Sequence, residues 1–498
     1  MDSAEHVWIG EQIELEFASG KLPAKGLQLQ LTEPGTGRQT ITYGQGIALG
    51  GDFYGIPDAP ISTAADPQAA FRAAWATLAT SNRVERSEIL RILQKEINAV
   101  AKAIAEGKEP STAYAALGMS LSLEWGAVTG LRYYDLAVKN WDHFGAHAVA
   151  AYTAGHAVAC HEAGLAGAPG IPDAERRVLL ERAYAMNSFA DHFLTDLFSA
   201  GHLRVPRKEM YDRPDGLKST LGLLVHAMHN EEGWVGLNVD NAQKDAWVAR
   251  GDGYLRDKGS ERNAELVVQA AQESASEIWK SYQDPKKLVE NKALELIPDF
   301  KALANRNNIR NFPALFTLNA KGQVERRINM SSRTDYAWTD QWRTWDTYLA
   351  LPKPKDPGYT HVACFDLGTD KPLGWLATSP GSPLNLPYVG MVQDQRYAHG
   401  MKWYLHDGNL YLQKDTSGPT GDLYLGVIKG GEALWGTWAW AKPVRVNDNR
   451  TLSLADDLTR MLCFPTGAAP NGPVFWSNGG SDAGFIRIDF PLPQPDKG

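Results

Sequence analysis

The chain has 498 residues, a formal net charge of -8, 43% hydrophobic and 22% charged residues, 12 His and 3 Cys. That is a globular composition with chain enough for two or three compact units, and it excludes disordered, collagen-like and disulfide-scaffold proteins. Cys160, Cys364 and Cys463 are too few and too scattered for a disulfide framework or a cysteine-based zinc ribbon, so any metal would be held by His and carboxylates.

Met1 to Glu11 contains Asp2 and Glu5 and lacks a basic stretch followed by an apolar one, so no secretory signal is expected. No apolar run of about 18 residues predicts a membrane span. The acidic balance argues against a nucleic-acid partner. The first stretch, through Gly55, is rich in Gly and Thr, with weak alternation at residues 28–31 and 39–43, which predicts short strands and turns leading into GGDFYG at residues 50–55. Apolar residues at three- and four-residue spacing predict helices over 66–80, 83–107, 131–164, 174–199, 217–230 and about 260–282, followed by a strand-like tail over 314–328. The Pro-rich LPKPKDPG at residues 351–358 reads as a linker between a helical unit, 1–350, and a β-rich unit, 359–498. In the latter, short runs such as KWYLHDGNLYLQ and FIRIDF between Gly, Pro, Asn and Asp predict an antiparallel sandwich. Trp438 and Trp440, in the strand-like run TWAWAKPV, would share a strand face and fill its core. The competing reading joins them with Tyr404, Tyr411 and Tyr424 in an interfacial patch.

Eight of the 12 His fall between residues 143 and 229. Within that window His192, Asp196 and His202 form an H-x3-D-x5-H string. Residues four apart share a helix face, so His192 and Asp196 can converge on one ion, and His202, after Gly201, can return from the helix end. A site rich in imidazole and carboxylate suits hydrolytic zinc. NWDHFGAH places Asp142 and His143 upstream with His147, whereas His147, His156 and His161 are expected to be core or supporting residues. HAMHNEEG places His226, His229, Glu231 and Glu232 downstream, and Asp52 lies in the Gly-flanked turn.

The strings GGDFYG, NWDHF, AYTAGH, FADHFLTDLFSAGH and MHNEEG together resemble the bacterial zinc-dependent phospholipase C family, in its phosphatidylcholine-preferring branch from Pseudomonas and Legionella. The likeness covers about residues 40 to 330. It implies a mainly α-helical catalytic domain holding two or three zinc ions and cleaving the phosphodiester of a phospholipid to diacylglycerol and a phosphorylated headgroup. It implies that His143, His192 and Asp196 form one site with Asp52, also the general base, and that His202 and His229 form a second with Glu231 or Glu232, Asp196 being shared. Glu231 is expected as the final ligand, with Asp142, Asn187 and Asp191 orienting the imidazoles. In better-known members a third zinc is held by an N-terminal Trp amine and a nearby His, and the start Met1-Asp2-Ser3-Ala4, with His6 and Trp8, departs from that pattern. The expected partner is a phospholipid surface contacted transiently, and such relatives act outside the cytoplasm. The alternatives are a zinc nuclease or phosphatase of the same superfamily and a non-catalytic, metal-stabilised toxin or binding protein.

Overall fold

A computed structural model describes the chain apart from residues 35–38, 118–119, 131, 307, 352–359, 379–387, 394–397, 407–408, 415–422, 429–430, 437, 467–472 and 490–498. It comprises two compact units, Met1–Tyr114 with Leu123–Ala350, and Ala115–Ser122 with Leu351–Gly498. The expected linker, beyond Leu351, lies outside the described residues.

The first unit is helical because its sequence starts and stops helices clearly. Asp66 accepts from Ala69 N at 3.0 Å ahead of Pro67, opening the helix Pro67–Ala79, and the Asn82 side chain caps Arg83–Ala105. Its centre is the pair Gly145–Ala166 and Asp173–Asp196, with Glu261–Gln283 packed against both. Close approach depends on a missing side chain: a Cβ on Gly155 would meet the Phe71 ring at 2.3 Å and Ala190 at 2.8 Å.

Two departures from expectation bear on the site. The helix expected over 131–164 is broken into Arg132–Val138, a 3-10 turn Trp141–His143, and Gly145–Ala166. The break follows from Gly145 at φ 49° and from Asp142, whose carboxylate accepts the backbone N–H groups of Ile61 (2.6 Å) and Ser62 (3.0 Å). The second is an N-terminal helix, Ser3–Glu11, in a stretch read as strands and turns. Seven of its nine residues are buried, including Glu5 and His6, so the segment has no polar face to give a periodic signal. It crosses the helix Tyr43–Leu49 where a Cβ on Gly10 would come within 2.5 Å of Gly44 Cα. The short strands Leu29–Gln30 and Thr40–Ile41 pair antiparallel, as do Phe316–Leu318 and Val324–Arg327 in the tail.

The second unit is built of antiparallel sheets. One runs in the order Thr360–His361, Gly400–His406, Asn409–Lys414, Leu423–Val427, Ala433–Gly436. The other runs Val389–Val392, Pro372–Thr378, Ala363–Asp366, Ala483–Asp489, Met461–Pro465, Leu452–Leu454, Val444–Val446, with Phe475–Ser477 beside Met461–Pro465. Leu412, Leu425 and Trp435 of the first sheet and Leu376, Leu462 and Ile486 of the second share one buried core, the arrangement of a sandwich. The chain is thus α+β and multidomain, a helical region followed by an antiparallel β-rich one.

Trp438 and Trp440 are not strand residues and do not fill that core. They form a 3-10 turn, each is 39% exposed, and the core tryptophan is Trp435. The turn lies against the sheet because Gly426 and Gly436 have no side chain: a Cβ on Gly436 would meet Trp440 Cβ at 2.5 Å. Trp438 packs against the rings of Tyr404, Tyr411 and Tyr424 at centroid distances of 5.7, 4.7 and 5.2 Å.

Candidate metal centre

The helix Asp173–Asp196 ends inside the first unit, and its last turn delivers His192 and Asp196 from the same face, both at most 1% exposed. The 3-10 turn Trp141–His143 brings His143 across, so that its Nδ1 lies 2.8 Å from Asp196 Oδ2 and 3.0 Å from His192 Nε2. His202, in the turn Ala200–His202 just beyond the helix, places Nδ1 3.7 Å from the same oxygen. Asp52 stands 3.9 Å from both His143 Nδ1 and His192 Nε2, its side chain 30% exposed.

That position of Asp52 depends on Gly51. Its φ is 71°, and a Cβ there would lie 2.6 Å from His192 Cδ2 and 2.8 Å from His143 Cε1. Only glycine lets the turn approach two imidazoles this closely.

Three further groups complete the cluster, and none was foreseen as a ligand. His6, carried by the N-terminal helix, is fully buried, with Nε2 3.5 Å from Asp196 Oδ1 and its ring 4.5 Å from that of His192. The Met1 amine donates to Asp196 Oδ1 at 2.7 Å and lies 2.9 Å from Asp252 Oδ1. Asp252, in the loop after strand Ala246–Ala249, holds Oδ2 3.0 Å from His229 Nε2 and 3.6 Å from His202 Nε2. Among the described residues, three groups therefore have ligand atoms close enough to hold metal ions: His143, His192 and Asp196; His6, Asp52 and His192; His202, His229 and Asp252.

Asp252, not Glu231 or Glu232, completes the group of His202 and His229. Glu231 is turned away and held by Arg327 at 2.9 Å and Arg333 at 3.1 Å, while Glu232 receives the guanidinium of Arg204 at 2.7 Å. A residue two positions along a helix points to the opposite side, so Glu231 cannot face the ion that His229 faces.

The expected supporting residues also differ. Asp142 holds the loop at Ile61 and Ser62. Asn187 and Asp191 belong to a separate buried network: Tyr43 and Ser274 donate to Asp191 at 2.7 and 2.6 Å, and Asn187 Oδ1 is 2.7 Å from His156 Nδ1. The imidazoles are oriented instead by nearer acceptors. His192 Nδ1 donates to the Ile47 carbonyl (2.9 Å), His202 Nδ1 to the His143 carbonyl (2.9 Å) and His229 Nδ1 to Asn230 Oδ1 (3.0 Å). His6 Nδ1 donates to Thr195 Oγ1 (3.0 Å), whose own proton is directed to the carbonyls of Asp191 and His192. With the proton fixed on Nδ1, each of these four rings presents the lone pair of Nε2 inward.

The electrostatics agree with a cation-holding cluster. Burial opposes the charge of Asp196, yet the Met1 amine, His202 and His192 hold its carboxyl well below the usual range, and the same amine with His229 and His202 does so for Asp252. The Met1 amine, resisted by burial, is pushed up to about 12 by Asp196 and Asp252. Burial drives His192 down to about 3 and outweighs His143 in raising Asp52 to about 6. Two ionised carboxylates facing imidazoles with free lone pairs form a nitrogen and oxygen donor set suited to zinc. His6 Nε2 gives the sharpest test of fit, since it is buried without a hydrogen-bond partner among the described residues. Such an orphaned nitrogen is costly unless something accepts its lone pair.

No family model, curated protein or solved structure matches the chain.

Proposed function

We propose that the helical unit is a zinc-dependent phospholipase C, hydrolysing the phosphodiester of glycerophospholipids such as phosphatidylcholine. The observation that carries this reading is the position of Asp196. Its Oδ2 faces His143, His192 and His202, while its Oδ1 faces His6 and the Met1 amine, so one carboxylate faces every candidate ligand but Asp52, Asp252 and His229. A shared carboxylate of this kind suits ions held close together, as in-line phosphoryl chemistry requires. The motif resemblance supplies the substrate class.

Zinc, when bound, supplies charge neutralisation at the phosphoryl oxygens and a nucleophile at neutral pH. Asp52 is the group placed to take a proton. It is the most exposed of the carboxylates here, within reach of both His143 and His192, as a base beside the phosphodiester must be. Asp196, buried and ionised, holds the imidazoles of the two groups in one frame. Asp252 and the Ile47, His143 and Asn230 oxygens fix the second group and the tautomers.

The test is release of phosphocholine from phosphatidylcholine vesicles, with and without chelator. Chelator-sensitive release restored by zinc is expected, with Asp196→Asn losing both zinc and activity. Cleavage of single-stranded nucleic acid with no lipid turnover, or tightly bound zinc with neither activity, would overturn the reading.

A further inference from the structure

The helix Lys218–Val235 carries two histidines on one face, of which only His229 joins a metal group. The other, His226, lies one turn earlier, its ring 6.2 Å from that of His229 and within 16° of parallel. Two observations separate it from the ligands. Its side chain is open to solvent, whereas His143, His192 and His202 are buried. Its ring nitrogens have no hydrogen-bond partner among the described residues, whereas Nδ1 of His6, His192, His202 and His229 is fixed by a protein oxygen. It nevertheless stands beside the second group, its ring stacked on that of His229. An imidazole fixed for coordination has its far nitrogen tied down; this one keeps its ring nitrogens free of protein partners among the described residues, beside the second group.

We propose that His226 is a substrate-contacting residue, donating an imidazole N–H hydrogen bond to a non-bridging phosphoryl oxygen of the phosphodiester bound at the His202, His229 and Asp252 group. This rests on the reading of the site as a phosphodiesterase. The i, i+3 spacing puts the donor on the same side of the helix as the ligand beside it, and its exposure leaves it reachable by a ligand arriving from solvent. A contact made equally with bound substrate and with the transition state acts on KM more than on kcat.

The experiment compares wild type, His226→Ala and His226→Gln in zinc-loaded protein. Zinc per chain, KM and kcat on phosphatidylcholine vesicles, and calorimetric binding of inorganic phosphate are measured for each. The alanine variant should keep its zinc, raise KM and weaken phosphate binding by about tenfold, and hold kcat within about twofold. Glutamine, whose amide can still donate, should recover much of the loss. Unchanged KM and phosphate affinity in His226→Ala, with wild type active, would overturn the assignment of His226 alone. Loss of a zinc equivalent would make it a ligand and overturn it too. A zinc-loaded wild type that neither binds phosphate nor hydrolyses the lipid would overturn the phosphodiesterase reading with it.

Discussion

Asp252 Oδ2 lies 3.0 Å from His229 Nε2, although one residue sits in the loop after strand Ala246–Ala249 and the other on the helix Lys218–Val235. The loop is seated by backbone pairing, Ala200 N to the Arg250 carbonyl (3.0 Å) and Gly251 N to the Gly233 carbonyl (3.1 Å). Gly233 and Gly251 touch closely enough that a Cβ on Gly251 would meet Gly233 Cα at 2.3 Å.

Asp252→Asn and Glu231→Gln should therefore behave oppositely. The first should lose zinc from the second group and most activity while the fold is retained. The second should keep its zinc but destabilise the protein by about 3 kcal/mol, because it leaves Arg327, 1% exposed, without its charge partner. Zinc analysis and denaturant unfolding of both variants check this; zinc loss in Glu231→Gln with full zinc in Asp252→Asn would reverse the assignment.

Gly51→Ala should be far more damaging than an ordinary surface substitution. The new Cβ would intrude on His143 and His192 at under 3 Å, from a backbone conformation that disfavours side chains. The expected outcome is loss of zinc from the His143, His192 and Asp196 group and a fall in activity of at least about a hundredfold, the scale on which small misplacements near reacting groups act. Near wild-type turnover in this variant would contradict the geometry.

The buried pair His156 and Glu277, 2.8 Å apart, predicts a pH signature. Burial pulls His156 down, but the Cys160 sulfur and the Glu277 carboxylate outweigh it and hold the imidazole well above its ordinary value. Burial likewise opposes Glu277, and His156 holds it below its own. The His156 contribution is fully present below pH 6.5 and is lost as pH rises through its raised folded value. The Glu277 contribution is present above pH 4.5 and is lost as pH falls through its lowered one. The destabilisation caused by Glu277→Gln should thus be greatest between the ordinary values of 4.5 and 6.5 and shrink both as pH falls through the lowered Glu277 value and as it rises toward the raised His156 value, as read from urea unfolding across pH. A pH-independent difference would contradict the pairing.

How much of this was legible depended on whether partners are local. His192 and Asp196 are four apart in a strongly periodic helix, so their shared face could be read from spacing, and the glycines of GGDFYG marked the close approach at Asp52. His6 and Asp252 carry no such signal. One sits in a helix buried nearly all round, the other in a loop set by glycine contacts distant in sequence. A histidine and two acids in an otherwise apolar N-terminal segment were the available hint of His6. The resemblance implies an acid close after His229 as the final ligand, but Glu231, two positions on, faces away from His229 on the helix and is held by Arg327 and Arg333. Trp438 and Trp440 misled too: alternation suggested a strand, but Gly436 after Trp435 makes room for a turn instead.

The two tryptophan environments of the second unit should separate in stability. Trp435→Ala removes a fully buried side chain and should cost about 3 to 5 kcal/mol, whereas Trp438→Ala, at 39% exposure, should cost well under half of that. Equal losses in denaturant unfolding would place Trp438 in the core after all.

The most direct test of the metal centre is an anomalous-scattering map of the zinc-loaded protein at the zinc absorption edge. The centre as described requires peaks within coordination distance of Asp196, between His143 and His192, and of Asp252, between His202 and His229. Full zinc loading with no peak beside Asp196 would contradict it.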